Sequence, residues 1–122
     1  MNKALGLSAL LLLGLSAPAF AHSYLKDSDP SRGTTLKTAP AEVTIDFTEG
    51  VAPRFSGITV EDSAGQRVDR GDVHPEGKEG TRLGVGLGAL KPGVYTVHWH
   101  AVSADDGHKT QGSFHFTVAP AP

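Results

Sequence analysis

An all-β fold, an immunoglobulin-like Greek-key sandwich or barrel of about seven strands, is what this sequence predicts. Three observations carry that expectation. Apolar and polar residues alternate with period two along most of the chain. Glycine (15) and proline (8) are frequent enough in 122 residues to punctuate it into short segments. No stretch longer than one turn repeats its apolar residues at helical spacing.

The elements follow in order. Residues 23–28 read as a first strand, stopped by Pro30. Val43, Ile45 and Phe47 alternate with Glu42, Thr44 and Asp46, a half-buried strand. Residues 55–60, from Phe55 to Val60, give the next strand, ended by the turn residues Asp62, Ser63 and Gly65. A weaker strand is expected over residues 66–70, and residues 71–80, polar and holding Pro75, read as a mobile loop. Leu83, Val85 and Leu87 alternate with Arg82, Gly84 and Gly86. After the turn Pro92-Gly93, Tyr95, Val97, Trp99 and Ala101 share one face, and Phe114, Phe116 and Val118 point inward from the last strand. The loop joining these last two strands is expected over residues 103–111.

The N-terminus has the pattern of a secretory leader over residues 1–21: Lys3, then the apolar run 4–15, then Ala19-Phe20-Ala21 as a small-x-small cleavage site. The apolar run is shorter than the ~20 residues that span a bilayer. Cleavage after Ala21 makes His22 the first residue of an exported, periplasmic protein, with a β domain over 22–118 and an extended, disordered tail over 119–122. The sequence Ala17-Pro18-Ala19 is a second possible cleavage site. Cutting there puts histidine third, a different square-planar copper chelate, and intact mass separates the two outcomes.

Composition narrows the chemistry. The absence of cysteine excludes disulfides, thiolate metal sites and thiol catalysis, and the one methionine is Met1. A net charge of −2 without a basic patch speaks against nucleic-acid binding. A serine-hydrolase Gly-x-Ser-x-Gly elbow is missing from the sequence. Six histidines remain: His22, His74, His98, His100, His108 and His115.

Two features point to a metal. An N-terminal His22 offers its α-amine and its own Nδ1 to one ion, a histidine brace. Both groups lose a proton near neutral pH, so binding strengthens as pH rises. Between the last two strands, Asp106-Gly107-His108 places a carboxylate and an imidazole two residues apart, on one side if the backbone is extended. Three nitrogens and one oxygen suit tetragonal Cu(II), and Zn(II) can use similar ligands. Without sulfur donors the site is expected to hold Cu(I) poorly. His98, His100 and His115 are expected to face outward, as a surface patch or second site if the strand register brings them together, and His74 is expected to be merely exposed.

These residues, with Ser28-Asp29-Pro30, Gly33, Leu36, Pro40, the segment 92–100, the segment 102–108 and Gly112-Ser113-Phe114-His115-Phe116, resemble the CopC-type periplasmic copper-binding proteins. The resemblance covers nearly all of the exported chain. It implies a seven-stranded Greek-key fold binding Cu(II) through His22, Asp106 and His108. This chain departs from the pattern in having two aspartates before Gly107; spacing to His108 favours Asp106, with Asp105 as a supporting or alternative ligand. The resemblance also implies a role in copper homeostasis or resistance, without catalysis, as a monomer, with a CopD-type inner-membrane protein as recipient. Many members carry a methionine-rich Cu(I) loop that this chain lacks, so it resembles the Cu(II)-only members. Two other functions fit an N-terminal histidine on a β-sandwich. An oxidative, polysaccharide-monooxygenase-like copper enzyme would generate peroxide with ascorbate. A metal-free interaction module would gain no thermal stability from Cu(II).

Overall fold

The computed structural model describes residues 24–122. The segment expected to be a leader, residues 1–21, and His22 lie outside the described residues. Among the described residues eight strands are present: β1 (Leu25–Asp29), β2 (Thr35–Leu36), β3 (Glu42–Phe47), β4 (Gly57–Glu61), β5 (His74–Glu76), β6 (Arg82–Gly86), β7 (Gly93–Val102) and β8 (Lys109–Val118). They form two four-stranded sheets, ordered β1-β3-β6-β5 and β2-β8-β7-β4. The order is that of the A-B-E-D and C-F-G sheets of immunoglobulin domains, with β2 added beside β8 in parallel. The expected all-β sandwich is therefore the one observed, and it is a sandwich of two sheets with no closed barrel. Among the described residues no helix is long and apolar enough to cross a membrane.

Period-two alternation decides which side chains enter the core. Val43, Ile45 and Phe47 of β3 face Ile58 and Val60 of β4, Leu83 and Val85 of β6, and Tyr95, Val97, Trp99 and Ala101 of β7, all within one buried cluster. Each large apolar side chain buried there contributes about 1.5–3 kcal/mol relative to exposure. Phe47 meets Trp99 edge to face at 5.4 Å, and Tyr95 stacks on Phe116 at 5.4 Å. The Tyr95 hydroxyl donates to the Lys91 carbonyl at 2.5 Å. A tyrosine at the start of this strand, bonded to backbone four residues upstream, is the tyrosine corner of immunoglobulin folds.

Among the described residues the strands number eight where about seven were expected, since β2 and β5 are too short to show a periodic pattern. Three expectations need correction. Residues 71–80 are not a free loop: they contain β5, where Pro75 is tolerated because an edge strand has one unpaired side. Residues 66–70 are no strand but two isolated bridges, Glu61 to Arg67 and Asp69 to Leu87. They cannot extend one ladder, because Glu61 belongs to one sheet while Leu87 follows β6 of the other. Asp69 anchors this crossing by accepting the Val60 and Gly71 N–H groups and pairing with Arg67 at 2.7 Å. Finally, Phe55 lies in a 3-10 turn, Pro53–Phe55, and is 65% exposed, so β4 begins only at Gly57. At the C-terminus the Ala119 N–H donates to the Leu36 carbonyl, one residue past β8.

Candidate metal centre

Asp106 and His108 sit in the connection between β7 and β8, which is tighter than residues 103–111 suggested, since β8 starts at Lys109. The two long strands pair through ten registered positions, from Gly93 with Val118 to Val102 with Lys109. That register leaves only residues 103–108 to reverse the chain. Reversal requires a turn, so the segment is not extended and the two-residue alternation does not apply. Instead Gly107 adopts φ +70°, a left-handed conformation that glycine enters without steric cost. The Asp106 Oδ1 accepts the His108 backbone N–H at 3.0 Å, which ties the two residues into one turn. The loop closes on Ser103, whose N–H donates to the His108 carbonyl at 2.9 Å and whose carbonyl accepts the Gly107 N–H at 3.0 Å. Ser103 is buried, and its Oγ has no hydrogen-bond partner among the described residues. Asp105, Asp106 and His108 are all exposed.

The start of the described chain is fixed at the same end of the sandwich. The Tyr24 N–H donates to Thr48 Oγ1 at 3.0 Å, and the Thr48 N–H returns to the Tyr24 carbonyl at 2.8 Å. Two residues on, the Gly50 carbonyl accepts the Ala104 N–H at 3.0 Å, and Val51 bridges Ser103. The segment following β3 thus ties Tyr24 on one side to the base of the Asp106–His108 turn on the other. Glu49, half-buried between these two anchors, adds a carboxylate-bearing residue that no local pattern in the sequence singled out.

The remaining histidines divide in two. His98, His100 and His115 face outward as expected. The register sets them opposite Ser113, Gln111 and Thr96, so neither proposed histidine pairing forms directly across the strands. His98 instead lies 3.4 Å from Glu61 of β4. His74, expected to be merely exposed, is half-buried in β5, and its Nδ1 contacts the Asp72 carbonyl at 2.7 Å. Its Nε2 lies 3.0 Å from Glu76 Oε2. With Glu42, these two residues bring three potential ligand atoms within 4.8 Å of one another. The hydrogen bond to Asp72 chiefly raises the His74 imidazole above its ordinary range; burial opposes this and the Glu76 carboxylate adds to it. The Glu42 carboxyl is also raised, first by its hydrogen bond with Glu76 and then by burial.

Against known proteins, the CopC domain family matches residues 25–119. The chain is 36% identical over 112 residues to protein YobA of Escherichia coli (strain K12), covering 90% of each. It is 35% identical to copper resistance protein C of Xanthomonas campestris pv. juglandis, covering 84% of each. It is 38% identical over 113 residues to copper transport protein CutJ of Bacillus subtilis (strain 168), where it matches only 21% of that longer protein. Among solved structures, CopC from Methylosinus trichosporium OB3b superposes with a TM-score of 0.76 at 33% identity, covering 83% of this chain and 97% of that one. PcoC of Escherichia coli, a methionine-rich copper resistance protein, gives 0.70 at 28% identity. A match across this much of the sandwich, in both sequence and structure, places the chain in the CopC domain family.

Proposed function

We propose that this protein binds copper in the periplasm, as Cu(II), and sequesters it or delivers it to a CopD-type inner-membrane protein. The ligands are the His22 amine and imidazole, Asp106 and His108, with Asp105 beside them. One observation carries this reading: the Tyr24 backbone, two residues beyond His22, is bonded to the same segment that holds the base of the Asp106–His108 turn. Two residues of chain reach at most ~7 Å. A brace at the new N-terminus is therefore compatible with that turn only at this end of the sandwich. The donor set of nitrogen and oxygen favours Cu(II) over Cu(I), so reduction releases or weakens the bound ion. The relationship to copper resistance protein C and CutJ supports the copper role.

The test is Cu(II) titration of protein beginning at His22, with electron paramagnetic resonance to count nitrogen donors. Loss of a partner of a metal ligand already costs about 10–100-fold in affinity, so His108→Ala, which removes a ligand itself, is expected to cost at least that. One extra residue before His22 should damage the site comparably by blocking the amine. Unchanged affinity and nitrogen count in that extended protein would overturn the brace.

A further inference from the structure

The outer face of the β1-β3-β6-β5 sheet carries a second, unrelated grouping of ligand atoms. Its geometry begins with β6, whose inward residues Leu83 and Val85 belong to the core and whose outward positions include Gly84 and Gly86. Two glycines on the outer face of a central strand leave a trough between the flanking strands. Gly84 pairs with His74 of β5 on one side and Thr44 of β3 on the other. Glu76 lies two residues along β5 from His74, and Glu42 two residues along β3 from Thr44, so all three project from the same face. They converge over the missing side chain. A Cβ at Gly84 would come within 2.5 Å of Glu76 Oε2 and 3.2 Å of His74 Nε2.

The chemistry of the group is that of a ligand set. A backbone carbonyl only accepts, so His74 Nδ1 must carry the proton it shares with Asp72. That arrangement fixes the ring and turns Nε2 toward the carboxylates. Donation of the second ring N–H to a carbonyl or carboxylate is how metal-ligating histidines are usually held. Glu42 and Glu76 hydrogen-bond to each other, and Asp29 adds a further negative charge felt at Glu42. The nearby Arg82 is turned to Asp46, at 3.8 Å.

We propose that Glu42, His74 and Glu76 form a second metal site, for a divalent ion that takes mixed imidazole and carboxylate ligands, Zn(II) or Cu(II). One nitrogen and two oxygens from the protein leave a fourth position for water in a tetrahedral Zn(II) complex or a tetragonal Cu(II) one. The site is centred over Gly84, opposite Thr44 in the middle of β3, whereas the Asp106–His108 turn lies in the connection between β7 and β8. It raises the capacity of the chain to two ions and does not depend on the His22 brace.

Nitrogen-15 NMR of the protein beginning at His22 tests it, with ZnCl2 and CuCl2 titrated separately. Zn(II) is expected to shift, and Cu(II) to broaden, the amide signals of Glu42, Thr44, His74, Glu76 and Gly84 as a saturable set. That set should be distinct from signals of residues 103–109. His74→Ala and Glu42→Gln should each weaken this set by about tenfold or more, leaving the other unchanged. Gly84→Ala, which puts a methyl into the ligand atoms, should do the same. Should His74→Ala fail to fold, Glu42→Gln, at the exposed start of β3, decides alone. Perturbation confined to residues 103–109, or a Gly84 set that is indifferent to Glu42→Gln, would overturn the second site while leaving the brace intact. Perturbation confined to the Gly84 set would do the reverse. A response to only one of the two ions identifies which metal the site takes.

Discussion

The two proposed sites are of different kinds, and β3 connects to both. At its C-terminal end, Phe47 leads into the segment that ties Tyr24 to the Asp106–His108 turn. On its outward face, Glu42 brings a carboxylate within 4.8 Å of His74 and Glu76, which crowd over Gly84. The first proposed site is built on loops, from residues two apart in sequence plus the expected new N-terminus, and Asp106 and His108 are exposed. The second is built on strands, from residues 34 positions apart that meet only through sheet register. A loop site can admit and release an ion with little movement of the sandwich. A strand site is held by the ladder and is expected to be the more rigid of the two.

The largest expected effect breaks the comparison cleanly. His108→Ala should abolish strong Cu(II) binding at the turn and leave ion-dependent shifts at Gly84, whereas His74→Ala should do the opposite. A single variant that removes both would show one site rather than two. Next comes the core beneath them. Phe47→Ala empties a fully buried position that packs against Trp99, and should cost about 3–5 kcal/mol in urea denaturation. Under conditions where the variant stays folded, the turn end should lose copper affinity before the Gly84 face responds, since Phe47 adjoins the Thr48 anchor.

Acid should separate the two regions by a smaller margin. Burial pushes the Asp69 carboxyl up, but the Arg67 guanidinium and the N–H groups of Val60 and Gly71 outweigh it and hold the group below its usual range. A depressed carboxyl supplies stability that is complete above its unfolded pKa of about 3.9 and is lost as pH falls through the lower folded value. Asp69 holds the segment that leads into β5. Hydrogen exchange on acidification below about pH 4 should therefore rise around β5 before it rises in β7 and β8. Asp69→Asn should show that rise already at neutral pH and remove its pH dependence; equal exchange in both regions would oppose this. The smallest effect is Tyr95→Phe, which removes one hydrogen bond to Lys91 and should lower stability by about 1 kcal/mol without altering either metal response.

The loop residues proposed as ligands could be picked out from the sequence because they leave local marks. An Ala-x-Ala sequence before His22 and the run Asp106-Gly107-His108 are visible without any knowledge of pairing. What that reading got wrong was the backbone, since ten registered pairs between β7 and β8 turn the segment tightly where alternation assumed extension. The strand site left no such mark. Glu42 looks like the polar face of a strand, and His74 and Glu76 look like loop residues beside Pro75. Even the two glycines of β6 read as weak strand positions rather than as room for other side chains.

By itself the sequence determined that this chain is an all-β sandwich, which residues form its core, and which nitrogen and oxygen donors are available. Period-two burial and composition are local properties, and they survive any choice of strand order. The tertiary structure alone decided which strands lie side by side. That choice made residues 71–80 an edge strand, kept His115 opposite Thr96 rather than another histidine, and brought Glu42 and His74 across β6. The reason is physical. Pairing between strands distant in the chain is set by how the whole hydrophobic surface closes, and no short window of sequence contains that information.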